Sequence, residues 1–310
     1  MKIVFLDVNT IGDDIDLSAF DKLGEVVKYD HSTAEEALKR TKEADVVITN
    51  KVKINAASIG DADNLKLVCV TATGTDNLDK AYLESRHIGW RNVAGYSTNS
   101  VAQHTFTLLF YLLTKARYYD DYVKDEHYLS SKSFTHLDEK FTELNGKTWG
   151  IIGLGAIGRK VADIAKAFGC RVVYYSTSGA NNNPDYEQVD FKTLLTNSDI
   201  ISIHAPLTDA TLNLIDKEAL TKMKSSAILL NVGRGPIINE QDLANALNAG
   251  EIAAAGLDVL TIEPMHIDNP LRLIKDSRKL YITPHTAWAS VESRTRLIEL
   301  VRNNIVAYFE

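Results

Sequence analysis

The 310-residue chain has only two cysteines, Cys69 and Cys170. Two thiols in a chain of this length do not make a disulfide framework, which points to a reducing compartment and a cytoplasmic protein. Both follow or end apolar runs and neither has a helper motif, so they read as small buried apolar residues. An excess of positive charge is also missing: 34 Lys and Arg stand against 41 Asp and Glu, a net charge of -7. A nucleic-acid partner would want a basic face, so that class is set aside. No apolar run suits a membrane span; the most apolar, 106–113, falls far short of the roughly 20 residues required. Residues 1–7 read as a strand that begins almost at once, so no leader peptide is expected. The eight histidines are dispersed, and His266-Ile267-Asp268 has no partner cluster, so no metal site is expected.

What is present is the composition of an ordinary globular protein, 45% hydrophobic and 24% charged, enough to bury a core in each of roughly two domains of about 150 residues. Short apolar runs recur at 3–6, 46–49, 65–70, 88–93, 148–152, 171–175, 200–204, 227–232, 252–257 and 280–282. Between them lie stretches with helical spacing of apolar residues, among them 34–43, 157–168, 191–196 and 240–249. Strands alternating with helices indicate parallel sheets covered on both faces, and near-continuous apolar runs such as Ala227-Ile228-Leu229-Leu230 fit that burial. The fold class is therefore α/β. Residues 100–115 are hydrophobic nearly all round, which predicts a long buried helix crossing between two lobes. A polar and aromatic stretch over 118–140 reads as a less regular, projecting arm. Residues 289–309 read as an amphipathic helix that packs back on the first lobe.

Gly153-Leu154-Gly155-Ala156-Ile157-Gly158 follows the apolar run Trp149-Gly150-Ile151-Ile152 and opens a helix. In that context the first glycine permits a tight turn and the second lets the backbone approach a pyrophosphate. The third lets the helix pack closely on the strand, while N-terminal amides face the phosphate charge. The backbone of Ala156 and Ile157 belongs to the same cradle. An acidic residue is expected at the end of the next strand to bind the adenosine ribose, but this chain has Ser176-Thr177-Ser178 there. Without a carboxylate a 2′-phosphate is not repelled, yet no Lys or Arg lies between Arg171 and Lys192 to attract one. The hydroxyls of Ser176 and Thr177 suit either ribose form, so the cofactor reads as NAD, with NADP left open.

Three later segments each end an apolar run and deliver one polar side chain. Asn231-Val232-Gly233-Arg234-Gly235 brings an arginine, 256–264 brings Glu263, and Thr283-Pro284-His285-Thr286-Ala287-Trp288 brings a histidine. Hydride exchange between nicotinamide and a 2-keto acid needs a cation for the substrate carboxylate, an acid beside the carbonyl oxygen, and a partner for that acid. Arg234 suits the first through two parallel hydrogen bonds. His285 suits the second, because imidazole gives and takes a proton near neutrality. Glu263 suits the third by fixing the ring and favouring its protonated form.

These segments, together with 72–77, 96–102 and Ser202-Ile203-His204-Ala205-Pro206-Leu207, resemble the D-isomer-specific 2-hydroxyacid dehydrogenases over essentially the whole chain. That family includes glycerate dehydrogenases, hydroxypyruvate and glyoxylate reductases, D-lactate dehydrogenases and phosphoglycerate dehydrogenases. The resemblance implies two Rossmann-like lobes: a flavodoxin-like substrate lobe, 1–99 plus 286–310, and a dinucleotide-binding lobe, 100–285. It implies homodimers built partly on a helical arm near 100–140. It gives Arg234, Glu263 and His285 the roles argued above, and assigns the substrate to Thr73, Gly74, Arg234 and Trp288. Cofactor contacts fall to Val101, the glycine loop, Ser176, Thr177, His204, Pro206, Val232, Gly233 and Asp258. Trp288 reads equally as lobe packing, His204 equally as structural, and His104 and Asp76 as structural. Lys51 marks a substrate-facing loop. The implied reaction is NAD(P)-dependent interconversion of a small 2-keto acid and a D-2-hydroxy acid, hydroxypyruvate or glyoxylate being first choices.

Other readings share the fold. Formate dehydrogenases carry glutamine where this chain has Glu263, which argues for proton-coupled chemistry here. Phosphite dehydrogenases keep the same trio and stay open. So does a cofactor-sensing binding protein of the corepressor type, although no long extension offers room for recruitment motifs. The regulatory domain of long phosphoglycerate dehydrogenases is also not expected.

Overall fold

The computed structural model describes residues 1–180 and 182–310. They form two compact units, Met1–Ser97 with Trp288–Glu310, and Thr98–Ala287.

The first unit runs β1 (Lys2–Phe5), β2 (Glu25–Lys28), α1 (Ala34–Arg40), β3 (Val46–Thr49), α2 (Ala56–Ile59), β4 (Leu67–Val70), α3 (Lys80–Ser85) and β5 (Gly89–Arg91). Its five strands are all parallel, in the order β2-β1-β3-β4-β5. Strand side chains alternate between faces. Ile3, Phe5, Val46, Ile48, Leu67 and Cys69 therefore enter one core, and Val4, Leu6, Val47, Val68 and Val70 enter the other. Both faces are apolar because both are covered, which explains why these runs show no polar alternation. Helix starts are fixed by short polar side chains. Thr33 and Glu36 make a reciprocal capping box at α1, the signature that marks its first turn.

Where the strand order reverses, between β1 and β3, the first sheet is closed by its own carboxylate. Asp7, only 7% exposed, accepts from the amides of Asn50 at 2.9 Å and Lys51 at 2.7 Å and from the Thr49 hydroxyl at 3.0 Å.

The second unit contains α4 (Thr98–Leu113), α5 (Ala116–Lys124), β6 (Thr148–Ile152), α6 (Ala156–Ala167), β7 (Arg171–Tyr175), β8 (Glu187–Gln188), α7 (Phe191–Asn197), β9 (Ile200–Ile203), α8 (Lys217–Lys222), β10 (Ile228–Asn231), α9 (Glu240–Ala249), β11 (Ala254–Leu257) and β12 (Leu280–Ile282). Its seven strands are again parallel, in the order β12-β11-β10-β9-β6-β7-β8. This is the doubly wound dinucleotide-binding order with one strand added, and its switch point lies between β6 and β9. α4 and α6 cover one face around Trp149, Ile151 and Leu230. The helices α7, α8 and α9 cover the other, around Ile203, Leu229 and Leu257. The chain ends in α10 (Val291–Phe309), whose Leu297, Ile298, Val301 and Ile305 fill the first core of the first unit.

The α/β class read from the sequence holds, with local differences. β2 and β8 were not anticipated: both are edge strands, Glu25-Val26-Val27-Lys28 and Glu187-Gln188, with little or no buried surface. α4 is a component of the second unit, packed on that unit's core, and it exposes only Asn99, Gln103 and Thr107 along one stripe. The aromatic stretch after it is more ordered than expected. α5 leads into a short 3-10 turn, His127–Ser130, and the His136 ring stacks on Tyr122 at 3.8 Å and bonds the Tyr118 hydroxyl at 2.6 Å. Leu129, Phe134 and Leu137 on this segment are 81%, 89% and 71% exposed. No helix among the described residues is long and apolar enough to cross a membrane.

Trp149 is fully buried, and its indole N–H donates to the Ser202 hydroxyl at 2.8 Å. Trp149→Ala is expected to cost about 3–5 kcal/mol, read as a lowered thermal midpoint of the second unit with no change at the first.

Candidate active site

In an open parallel sheet, ligands bind beyond the carboxyl ends of the strands at the switch point. The second unit places nearly all of the chemistry-bearing residues at that edge, one loop per strand. Gly153 leaves β6, Ser176 leaves β7 and His204 leaves β9. Val232 to Gly235 leave β10, Asp258 and Glu263 follow β11, and His285 follows β12.

The glycine loop has a separate geometric reason for each glycine. Gly153 has φ +89°, and a Cβ there would lie 2.8 Å from the Ala205 backbone of the neighbouring β9 loop. A Cβ on Gly158 would lie 2.4 Å from the Gly153 carbonyl oxygen, so only glycine lets α6 sit this close to the loop. Gly155 differs: a Cβ would meet nothing within 4 Å, and Gly155 and Ala156 are exposed. Side chains cap α1, α2, α3, α7, α8, α9 and α10 at their N-termini, but α6 begins at Gly155 with no side-chain cap. Its first-turn amides and the positive end of its dipole face an open cradle, which fits a dinucleotide pyrophosphate.

Beside the loop, Ser176 is buried, Thr177 is half-buried and Pro206 is exposed. The His204 ring is enclosed. Its Nε2 lies 3.0 Å from the Ser202 hydroxyl, and its Nδ1 is buried without a partner among the described residues. Burial pushes its pKa down to about 3. His204 thus stands at the end of β9, half-buried, with its ring turned toward Ser202. Val101 lies buried in the first turn of α4.

The turn that carries Arg234 is tied by Asn231, only 1% exposed. Its Oδ1 accepts from the Gly233 amide at 3.0 Å and its Nδ2 donates to the Arg234 carbonyl at 2.9 Å. The Arg234 guanidinium donates to the Gly233 carbonyl at 2.9 Å. A Cβ on Gly235 would fall 2.0 Å from the Leu260 carbonyl carbon. Only glycine therefore lets the arginine turn lie against the loop that carries Glu263. Asn231 and Gly235 stood inside a segment singled out by its arginine, yet the signal for their own roles was only their residue type at a strand end.

Glu263 bridges two elements: Oε1 accepts from the Leu260 amide at 2.9 Å, and Oε2 lies 2.7 Å from His285 Nδ1. An ionised carboxylate can only accept, so the imidazole carries its proton on Nδ1 toward Glu263 and presents Nε2 outward. The two side chains are 30% and 27% exposed, open enough to meet a ligand. His285 is left-handed, φ 54°, a conformation that a non-glycine residue keeps only where its surroundings impose it. The surroundings are Asp258. It is 1% exposed, and its carboxylate accepts from the Thr283 hydroxyl at 2.6 Å and the amides of Thr286 at 2.8 Å and Ala287 at 2.9 Å. Its carbonyl accepts from the His285 amide at 2.9 Å.

In the first unit, Thr73 is exposed beyond β4 and Gly74 half-buried beside it. The Thr73 hydroxyl donates to the Val93 carbonyl at 3.0 Å, and Asn92 Nδ2 donates to the Thr73 carbonyl at 2.6 Å. Trp288 packs edge-on against Tyr96 at 6.3 Å within the first core, which is the lobe-packing alternative. Cys69 and Cys170 are buried free thiols, with burial pushing them up to about 12 and about 11.

A profile described as "D-isomer specific 2-hydroxyacid dehydrogenase, NAD binding domain" matches residues 106–287, more than half of the chain. The chain belongs to that dehydrogenase family. This dehydrogenase is 37% identical over 316 residues to the hydroxypyruvate reductase of Blautia hydrogenotrophica, covering 100% of this chain and 97% of the relative. It is 37% identical over 308 residues to the glycerate dehydrogenase of Methylorubrum extorquens, covering 99% and 96%. Among solved structures, the D-lactate dehydrogenase of Aquifex aeolicus complexed with NAD and lactic acid matches with TM-score 0.85 at 26% identity, covering 99% and 95%. The dehydrogenase is a nicotinamide-dependent oxidoreductase.

The second and third glycines give a paired test of the cradle. Gly155→Val is expected to leave the thermal midpoint near wild type while weakening NADH binding about tenfold or more, since it fills the space over the α6 amides. Gly158→Val is expected to lower the thermal midpoint as well. Titration of NADH by fluorescence alongside melting distinguishes the two; equal behaviour of the variants would refute the cradle.

Proposed function

We propose that this dehydrogenase reduces a small 2-keto acid to the D-2-hydroxy acid, with hydroxypyruvate or glyoxylate as substrate and NADH as preferred cofactor. The observation that carries this reading is the 2.7 Å contact of His285 Nδ1 with Glu263, beside the Arg234 turn that lies on the same loop. A bound nicotinamide supplies the hydride. Arg234 binds the substrate carboxylate through paired hydrogen bonds and polarises the adjacent carbonyl. His285 Nε2 gives a proton to the carbonyl oxygen as the alcohol forms and takes it back in the reverse direction. Glu263 keeps the opposite nitrogen protonated and the ring oriented. A carboxylate in that position suits proton-coupled reduction better than oxidation of formate, which releases hydride with no proton to transfer.

In the first unit, we assign the Thr73 and Gly74 backbone to the substrate carboxylate. Ser176 and Thr177 are assigned to the adenosine ribose; with no carboxylate to repel a 2′-phosphate and no nearby cation to attract one, NAD is favoured and NADP is tolerated. The similarity to a hydroxypyruvate reductase and a glycerate dehydrogenase supports the choice of substrate. The exposed apolar side chains Leu129, Phe134 and Leu137 suit a homodimer that buries them against a second copy. Two unpaired buried thiols suit a cytoplasmic location.

A nicotinamide-absorbance assay with a panel of 2-keto acids and both reduced cofactors tests the reading. Turnover of at least one acid is expected, and turnover of none would leave a binding protein instead. His285→Ala is expected to lower kcat by roughly 10²–10⁴-fold, the usual contribution of a general acid; near-wild-type turnover would refute the mechanism. Ser176→Asp is expected to shift the NADH to NADPH ratio of kcat/KM toward NADH, whereas an unchanged ratio would put the ribose elsewhere.

A further inference from the structure

One buried polar cluster in the second unit lies behind the catalytic groups. Thr283 Oγ lies 2.6 Å from Asp258 Oδ1, and His104 Nε2, projecting from α4, lies 2.8 Å from Thr283 Oγ and 3.4 Å from Asp258 Oδ1. A hydroxyl has one hydrogen to donate. Thr283 gives it to the carboxylate, so toward His104 it can only accept, and the imidazole must carry its proton on Nε2. The His104 side chain is 17% exposed. Burial holds its pKa below the ordinary histidine range, with the nearby Asp258 charge pulling the other way.

One turn earlier on the same face of α4, the Ser100 hydroxyl donates to the Ala287 carbonyl at 2.6 Å. α4 therefore grips the segment 283–287 at both ends, and His285 is its middle residue. Between those grips, the Asp258 carboxylate takes the amides of Thr286 and Ala287. The His285 amide donates to the carbonyls of Asp258 and Thr283. The left-handed conformation of His285 is imposed by these bonds. Any rotation of the Thr283 hydroxyl away from Asp258 would loosen them.

We propose that His104 is a positioning residue for His285: by donating to Thr283 it leaves that hydroxyl a single use, the bond to Asp258, and so keeps the proton-donating ring in register. The proposal rests on the reading of His285 as the proton donor. It predicts that His104 matters for turnover rather than for cofactor affinity, although it touches neither substrate nor the glycine loop.

Steady-state kinetics on the whole enzyme with the best keto acid tests it, using His104→Leu, His104→Gln, Thr283→Val and the His104→Leu/Thr283→Val double variant. His104→Leu is expected to lower kcat about tenfold, the scale of one lost hydrogen bond, with the KM for NADH changed less than about twofold. His104→Gln places an amide donor near Nε2 and is expected to restore kcat to within about twofold of wild type. Thr283→Val should match His104→Leu, and the double variant should lose no more than the worse single variant, because both break one relay. If His104→Leu does not accumulate as folded protein, His104→Asn, whose amide is too short to reach Thr283, replaces it. Wild-type kcat in His104→Leu, failure of rescue by His104→Gln, or losses that multiply in the double variant would overturn the proposal. His285→Ala is run in parallel. If it stays active, the reading of His285 has failed; if it is dead while His104→Leu is unimpaired, only the positioning role has.

Discussion

The proposed catalytic edge of the second unit depends on one buried carboxylate. Asp258 stands at the end of β11, nearly closed to solvent, and accepts from a hydroxyl and two backbone amides of the segment leaving β12. A carboxylate buried this deeply is tolerable only when its lone pairs are satisfied. The groups that satisfy it are those that bend the chain into a left-handed turn at His285. The hydrogen bonds that offset the desolvation of the carboxylate thus also offset the strain of that turn. The backbone of His285 is fixed before any ligand arrives, and only its imidazole reaches outward, to Glu263.

The same economy of backbone governs the neighbouring loops. Arg234 and Glu263 come from different strands, and glycine at 235 lets their loops touch. Asn231 uses both ends of its amide to hold the arginine turn. These residues are assigned no step in the proposed reaction. They set the distances over which the assigned residues act, and reactions of this kind are sensitive to displacements of an ångström.

Much of this was legible in the sequence, for reasons that differ by element. Strands β3, β4, β9 and β10 are buried on both faces, so each is written as a short unbroken apolar run. The glycine loop carries its geometry in its spacing. Arg234, Glu263 and His285 stood out as candidates because each follows such a run. What was not legible depends on contacts between distant parts of the chain. The edge strands are short: β8 has no apolar residue, and β2 has only Val26 and Val27, each packed on a different core, between two charged ends. His204 looked available at a strand end, but its ring turns inward toward Ser202. His104 meets Thr283 across 179 residues, and no local periodicity encodes such a pairing.

Both sheets are parallel and each has a switch point, yet they treat it in opposite ways. In the second, the crevice is lined by glycine and by helix amides with no side chain over them. In the first, the amides of Asn50 and Lys51 beyond β3 already have an anion, the carboxylate of Asp7. A phosphate arriving there would meet negative charge and donors already committed. An incoming anion therefore finds uncapped helix amides at the second switch point and committed ones at the first.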